Sequence, residues 1–217
     1  MKVGIIGASG YTGQELVSLL IKHPQVELCA VTSRAHQGKP LSAVIPKLAN
    51  IGRERSFVSP SIEELTESDI ELFFLALPYG TASEYATALL ESGKKVIDLS
   101  ADFRLKSAAT YQEFYGSEHP ASQWLPKAQY GLPELHDLSW ETSHLIASPG
   151  CYPTSIIVPL APLLAHNLIA PSDIVVNSIS GISGAGKNAP ERLLFCERNE
   201  SAGVYGLPKH RHLSEIE

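Results

Sequence analysis

The chain has few cysteines, little excess charge of either sign and no long apolar run. Its three cysteines, at positions 29, 151 and 196 of 217, are too few and too scattered for a disulfide framework or a zinc cage. The net charge of 17 − 23 = −6 lacks the basic excess that nucleic acids and anionic membranes attract. No apolar run reaches the roughly 20 residues of a membrane span. We therefore expect a cytoplasmic protein with no metal, nucleic-acid or membrane partner.

The first two thirds of the sequence alternate strand-like and helix-like segments. β-branched or continuous apolar runs predict strands over residues 2–6, 26–32, 70–77, 95–99 and 145–147. Helical spacing and composition predict helices over residues 12–23 and 81–91, and a Ser-x-x-Glu capping box marks a short helix after residue 61. Repeated strand–helix–strand units imply a parallel sheet with helices on both faces. Residues 1–148 are therefore predicted to form a doubly wound, Rossmann-type α/β domain.

Residues 149–217 have a different pattern and are predicted to be the N-terminal part of a second, α+β catalytic and dimerisation domain. An apolar run over residues 156–168 favours a helix, and a β-branched run over residues 174–179 predicts a strand. A Gly/Ser-rich segment follows at residues 180–187. The chain ends with neither a Gly/Pro stop nor a polar tail, so we expect this domain to be incomplete.

Three glycines follow the first predicted strand at the spacing G-x-x-G-x-x-G, over residues 7–13. Glycine there allows a tight turn and lets a pyrophosphate approach the backbone at the start of a helix, so a dinucleotide site is favoured over an ordinary strand–helix turn. The second strand ends without an acid that could bind a ribose 2′-hydroxyl. Ser33 and Arg34 suit a 2′-phosphate instead, which favours NADP over NAD, although Arg34 could also be a solvated loop charge. The candidate cofactor-binding residues are Gly7, Ser9, Gly10, Tyr11, Thr12, Gly13, Ser33 and Arg34.

Cys151 lies in the turn Ser-Pro-Gly-Cys-Tyr-Pro-Thr at residues 148–154. We expect Gly150 to supply the backbone freedom for a sharp bend, and Pro153 suits the first turn of a helix. Cys151 would then lie at a helix N-terminus, where the dipole stabilises a thiolate that can attack acyl carbons. The alternative is a buried structural cysteine. That second interpretation is favoured for Cys29 and Cys196, which lie in apolar contexts.

Two histidines, His210 and His212, flank Arg211 near the end of the chain. In an extended segment their rings point to one side and Arg211 to the other. Imidazole titrates in the range needed for acid–base catalysis beside a thiolate. A metal-binding pair is the alternative, although no third ligand has suitable spacing. The remaining histidines are expected at surface or capping positions; they are His23, His36, His119, His136, His144 and His166.

The glycine turn, the cysteine turn and the segment His-Arg-His-x-x-Glu-Ile at residues 210–216 together resemble the N-acetyl-gamma-glutamyl-phosphate reductase family of the aspartate-semialdehyde dehydrogenase superfamily. The resemblance extends along the whole chain, including Asp-Leu-Ser-Ala-Asp-Phe-Arg-Leu at residues 98–105 and Ser-Gly-Ile-Ser-Gly-Ala-Gly-Lys at residues 180–187. The cysteine and histidine segments are specific to the family, whereas the glycine turn is widely shared. Leu213 and Ser214 stand where the family usually has any residue followed by proline.

This resemblance implies NADPH-dependent reduction of N-acetyl-γ-glutamyl phosphate to the semialdehyde, a step of arginine biosynthesis. Cys151 would attack the acyl phosphate to form a thioacyl-enzyme, and hydride transfer would give a hemithioacetal that collapses to aldehyde and thiolate. His210 or His212 would act as the acid–base group, with a slight preference for His210, and the other would help to hold substrate. Superfamily members commonly associate, so a homo-oligomer is expected.

A substrate that carries both phosphate and carboxylate needs cationic partners. The candidates are Arg104, Lys187 and Arg211, together with the backbone of residues 184–186; a solvated surface charge is the alternative for each. Two other functions stay open at this point. One is reduction of a carrier-bound aminoadipyl phosphate in lysine biosynthesis, which the net charge of −6 does not favour. The other is a catalytically inactive fragment that binds NADP.

Overall fold

A parallel β-sheet organises the first two thirds of the chain. The computed structural model describes residues 1–49, 51, 55–135, 137–139, 141–188 and 190–216. Within these residues six strands form one sheet, and every neighbouring pair is parallel. The strands are β1 (Lys2–Ile6), β2 (Glu27–Val31), β3 (Leu72–Leu75), β4 (Lys95–Asp98), β5 (Gln129–Tyr130) and β6 (Leu145–Ala147).

The strand order β2-β1-β3-β4-β6-β5 makes this a doubly wound sheet, as the sequence predicted. From β1 the chain first moves to β2 on one side and then returns to β3 on the other. The reversal creates a crevice at the carboxyl ends of β1 and β3, where ligands of such sheets bind. The five strands predicted within residues 1–148 are all present, each within two residues of its expected bounds. The short strand β5 and the helix at Ala108–Tyr115 were not predicted.

Helices cover both faces of this sheet. Val3 and Ile5 of β1 pack in one apolar cluster with Val17, whereas Phe73 and Leu75 of β3 pack in a second cluster. This division follows from the alternation of side chains along a strand. The α-helices in the described residues are α1 (Tyr11–Leu20), α2 (Leu41–Val44), α3 (Ile62–Glu67), α4 (Ala82–Glu91), α5 (Ala108–Tyr115), α6 (Cys151–Ala165), α7 (Phe195–Arg198) and α8 (Leu213–Ile216).

The predicted capping box at the start of α3 is confirmed. The Ser61 hydroxyl accepts a hydrogen bond from the Glu64 amide at 3.2 Å, and the Glu64 carboxylate accepts one from the Ser61 amide at 2.7 Å. Two backbone donors at the helix start are thereby satisfied.

A buried carboxylate fixes the start of α4 from outside that helix. Asp102, which is fully buried, accepts hydrogen bonds from the amides of Gly80 (2.7 Å) and Ser83 (2.9 Å) and from the Tyr111 hydroxyl (3.1 Å). The negative charge thus lies at the positive end of the helix dipole. Asp102 therefore joins the segment after β4 to both α4 and α5.

His119 belongs to the same buried region, so its predicted surface or capping position is wrong. Its side chain is buried, with Nε2 at 2.6 Å from the Asp102 carbonyl oxygen, and its Nδ1 accepts from the Ala121 amide at 3.0 Å. Because Nδ1 accepts, the proton lies on Nε2. His136, placed in the same predicted group, lies outside the described residues.

Residues 149–216 contain α6, α7 and α8 and short turns, but the strand predicted over residues 174–179 is absent from this described segment. Val175 and Ile179 are 86% and 94% exposed. A strand needs a neighbour for its N–H and C=O groups, and no described segment pairs with this one. The division into domains at residues 148 and 149 stays a prediction. Among the described helices, none combines the length and apolarity that crossing a bilayer requires.

We predict that Asp102→Asn lowers the free energy of unfolding by about 2–4 kcal/mol, because an amide cannot accept all of these bonds and its NH₂ group would face other donors. Urea denaturation measures the change. Asp69→Asn is the matched control, since Asp69 pairs with Lys2 at an exposed site where water screens the charges, and it should lower the stability much less than Asp102→Asn does. Equal effects of the two substitutions would contradict the role assigned to Asp102.

Candidate active site

In the glycine turn between β1 and α1 the backbone packs too closely for side chains at Gly7 and Gly13. Gly7 has φ = +87°, and a Cβ there would collide with the Ala76 carbonyl oxygen. A Cβ on Gly13 would lie 2.5 Å from the Gly7 carbonyl oxygen. Gly10 precedes α1 without a side-chain capping bond, so the first-turn N–H groups remain open to an anion. The turn therefore fits a dinucleotide pyrophosphate.

The carboxyl end of β2 faces this turn. The Ser33 hydroxyl donates to the Ser9 hydroxyl at 2.9 Å, which joins two of the predicted cofactor-binding residues. Arg34 is exposed, and its Nη2 donates to the Tyr85 hydroxyl at 3.0 Å. Tyr85 belongs to α4, so the guanidinium is held across the end of the sheet.

Cys151 is the first residue of α6 and is exposed, at the helix N-terminus that the sequence predicted. The predicted reason for Gly150 is wrong, because its φ of −67° and ψ of 158° suit any residue. Space is the constraint instead. A Cβ there would lie 2.8 Å from His212 Nε2 and 2.9 Å from Glu215 Oε1.

The predictions for the other two cysteines are wrong. Cys29 and Cys196 are both exposed and free. Cys29 lies on β2, the edge strand of the sheet, and its side chain is on the more open face of that strand. Cys196 lies on α7, a four-residue helix without a buried side chain.

His210 and His212 lie together near the start of α6, but in a turn and not in the extended segment that was expected. Their ring centroids are 4.9 Å apart, and the Tyr152 ring lies 5.3 Å from His210 and 5.8 Å from His212. Tyr205 completes this aromatic group by donating from its hydroxyl to that of Tyr152 at 2.8 Å. In the described part of the chain no three potential ligand side chains cluster as a metal site.

The two histidines differ in burial. His212 is 8% exposed, and burial, followed by the charges of Arg104, His210 and Arg211, lowers its pKa to about 4. Burial and Arg211 also lower the pKa of the half-buried His210. His212 is therefore neutral near pH 7. Its Nδ1 is buried with no hydrogen-bond partner among the described residues, which is uncommon for a polar atom.

A buried ion pair lies beneath the cysteine turn. Arg104 Nη1 is 3.1 Å from Glu215 Oε1, and the two side chains are 9% and 0% exposed. Arg104 also donates to the carbonyl oxygens of Ser148 (2.8 Å) and Leu99 (3.0 Å). These bonds use three of the five N–H donors of Arg104, and its predicted role in substrate binding stays a prediction.

The other two predicted substrate-binding cations are exposed and lie against aromatic rings. Lys187 Nζ is 5.5 Å from the centroid of the Tyr11 ring, beside the glycine turn. Arg211 lies 6.0 Å from the centroid of Tyr79, which follows β3. Both positions border the crevice at the carboxyl edge of the sheet.

Comparison with known proteins agrees with this architecture. A family model described as semialdehyde dehydrogenase, NAD binding domain, matches residues 2–142, and one described as semialdehyde dehydrogenase, dimerisation domain, matches residues 151–217. The chain belongs to the semialdehyde dehydrogenase family.

Curated members of this family confirm the resemblance seen in the motifs. The N-acetyl-gamma-glutamyl-phosphate reductase of Akkermansia muciniphila is 49% identical over 218 residues, which cover 100% of this chain and 63% of that protein. The reductase of the same name from Desulfotalea psychrophila is 51% identical over 222 residues, covering 100% of this chain and 62% of that protein. The chain thus spans slightly less than two thirds of the length of these relatives.

Solved structures of semialdehyde dehydrogenases share the fold. Aspartate semialdehyde dehydrogenase II from Vibrio cholerae has a TM-score of 0.56 at 18% identity, over 86% of this chain and 48% of that one. Aspartate semialdehyde dehydrogenase from Francisella tularensis has a TM-score of 0.53 at 16% identity, over 77% of this chain and 41% of that one.

Several residues of this candidate site were not singled out from the sequence. Tyr152 follows the candidate nucleophile directly and could have been found by position alone. Tyr85, Tyr130, Tyr205 and Glu215 come from other elements. Only the Glu of the His-Arg-His-x-x-Glu-Ile segment carried a signal, through the family motif.

We predict that His212 makes folding less favourable in acid. Its folded-state pKa of about 4 lies below the ordinary 6.5, so the neutral form is favoured and stability is lost as pH falls from about 6.5 towards 4. The loss should reach at most about 3 kcal/mol. Urea unfolding at pH 7.5 and pH 5 should show a smaller fall for His212→Asn than for the natural chain. His144→Asn, at an exposed position, should leave the fall unchanged. The same fall in all three proteins would contradict the assignment.

Proposed function

We propose that this chain carries the cofactor- and thiol-bearing part of an NADPH-dependent reductase that converts N-acetyl-γ-glutamyl phosphate to the semialdehyde. The observation that carries the proposal is the exposed Cys151 at the start of α6, beside two histidines with lowered pKa. The names of the full-length relatives supply the substrate.

The glycine turn and the end of β2 are the parts of this chain that would hold the cofactor. The open N–H groups of α1 suit the pyrophosphate, and Arg34 with Ser33 suits a 2′-phosphate. The sequence has no Asp or Glu at this strand end that could bind the ribose 2′-hydroxyl of NAD. When bound, the nicotinamide supplies the hydride.

Cys151 would act as the nucleophile. Its sulfur forms a bond to the acyl carbon, the carbon–oxygen bond to phosphate breaks, and inorganic phosphate leaves. Addition of hydride to the thioester carbon and of a proton to its oxygen gives a hemithioacetal. As the carbon–sulfur bond breaks, the acid–base histidine would take back the hydroxyl proton, so the aldehyde and the Cys151 thiolate are released and the enzyme returns to its starting state.

His210 is the better candidate for the acid–base role. A general acid must be protonated for part of the time at working pH, and a pKa of about 4 leaves His212 neutral. His210 is less buried than His212. Neutral His212 would instead help to hold the substrate beside Cys151.

Arg211 and Lys187 would attract the phosphate and carboxylate groups of the substrate. Both are exposed, and each lies against an aromatic ring that borders the crevice. We also infer a homo-oligomer, supported by the match of residues 151–217 to a dimerisation domain. Three free cysteines support a reducing, cytoplasmic setting.

We predict that Cys151→Ser lowers phosphate-dependent reduction of NADP with the semialdehyde by at least about 1,000-fold, because the thioacyl step is lost. Fluorescence titration should show NADPH affinity within about twofold of the natural chain, since the glycine turn is distant in sequence and intact. Cys196→Ser, at another exposed cysteine, should keep full activity. Activity retained in Cys151→Ser would remove the thiol from the mechanism.

We predict that Arg34→Ala weakens NADPH binding by about 10- to 100-fold through loss of charge-assisted hydrogen bonds to the 2′-phosphate. NADH binding, which involves no such group, should change by less than about twofold. Fluorescence titration with both cofactors measures the effect, and Arg192→Ala at an exposed position is the control. A parallel loss of both affinities would show that Arg34 supports the fold and not the cofactor preference.

A further inference from the structure

The carboxylate of Glu215 lies near the candidate nucleophile, and both of its oxygens accept hydrogen bonds from the protein. Its side chain is 0% exposed. Oε2 accepts hydrogen bonds from the Gly150 amide at 3.0 Å and from the Tyr130 hydroxyl at 2.9 Å, and Oε1 is 3.1 Å from Arg104 Nη1. Both oxygens are therefore occupied within the protein, and the carboxylate does not face the open crevice.

The hydrogen bond between the Gly150 amide and Glu215 lies at the start of α6, the helix that bears Cys151. Gly150 is the residue that caps α6, and its amide donates to Glu215 from a position one residue before Cys151. The orientation of this peptide sets where the first turn of α6 begins. A side chain 65 residues away in sequence thus fixes the start of the helix that bears the thiol.

Arg104 holds the other end of the same turn. Its Nε donates to the Ser148 carbonyl oxygen at 2.8 Å, and Glu215 binds the Gly150 amide two residues later. The two side chains of the ion pair therefore each bind one end of residues 148–150, and we call this pair of contacts the bracket. Because charge-assisted hydrogen bonds are shorter and stronger than neutral ones, this bracket restricts the turn more than water or a neutral side chain would.

His212 depends on the same bracket. Its Nε2 would lie 2.8 Å from a Cβ on Gly150, so the imidazole is packed against the turn that Glu215 holds. Glu215 and His212 also share one short segment, in which the Glu215 amide donates to the His212 carbonyl oxygen at 3.1 Å. A displacement of the carboxylate would shift both the thiol and the imidazole.

We propose that Glu215 is the positioning residue of this site: through the Gly150 amide and the ion pair with Arg104 it sets the placement of Cys151 relative to His212. Glu215 is not a catalytic residue, because its oxygens contact neither the thiol nor the crevice. The kinetic part of this inference rests on the proposed reductase function, whereas the hydrogen bond to Gly150 can be tested without it.

The test compares Glu215→Gln with the natural 217-residue chain. Because the amide of Gln presents an NH₂ group to Arg104 or to Gly150, we expect kcat to fall at least about tenfold, as small displacements of reacting groups commonly cause. KM for the semialdehyde and the affinity for NADPH should stay within about twofold. In ¹H–¹⁵N spectra the Gly150 amide resonance should move upfield, while those of Gly7 and Gly10 stay in place.

Two further variants separate positioning from folding. Glu91→Gln makes the same substitution at an exposed site at the end of α4 and should change nothing. Glu215→Asp keeps the charge for Arg104 but is one carbon too short to reach Gly150 as well. It should therefore remain folded even where Glu215→Gln does not, with the Gly150 resonance shifted and kcat reduced.

An unchanged Gly150 resonance in the folded variants would overturn the proposal. A raised KM with unchanged kcat would also overturn it, because Glu215 would then be contacting substrate. If the natural chain shows no turnover, the proposed reductase function fails for this chain, and the Gly150 resonance alone decides: a shift supports the positioning role and no shift refutes it.

Discussion

The ion pair between Arg104 and Glu215 is the interaction on which the candidate site depends. Arg104 follows β4, Glu215 lies on α8, and the turn between them leads from β6 into α6. Two charges buried together need compensating hydrogen bonds, and here the carbonyl oxygens of Leu99 and Ser148 and the Tyr130 hydroxyl supply them. Removing either charge would leave the other buried without its counter-ion.

Much of the sheet could be predicted from local sequence, because its strands are short apolar runs bounded by turn residues. The exceptions have physical causes. The two residues of β5 are too few to show a periodic pattern, and their strand character comes from pairing with β6. Conversely, residues 174–179 have a strand-like pattern, but a pattern cannot supply the neighbouring strand that pairing requires. The helix α1 ends at Leu20, earlier than its apolar spacing indicated.

The site was predictable where its chemistry is local. The positions of the glycine turn and of Cys151 follow from turns whose residue types have direct steric or helix-capping meaning. Glu215 and Tyr205 come from segments far along the chain, so only the tertiary fold brings them to α6. The contacts of Arg104 could not be predicted for the same reason, because its distant acceptors, Ser148 and Glu215, lie on other segments of the chain.

The order of the strands also sets the distance between the glycine turn and the cysteine turn. The glycine turn follows β1 and the cysteine turn follows β6, and β3 and β4 lie between them. Three inter-strand steps amount to about 14 Å along the carboxyl edge. A cofactor held at the glycine turn would have to extend across this gap to reach a substrate at Cys151, so the strand order sets the length of the ligand that fits. Adding or removing one internal strand would change the required length by about 5 Å.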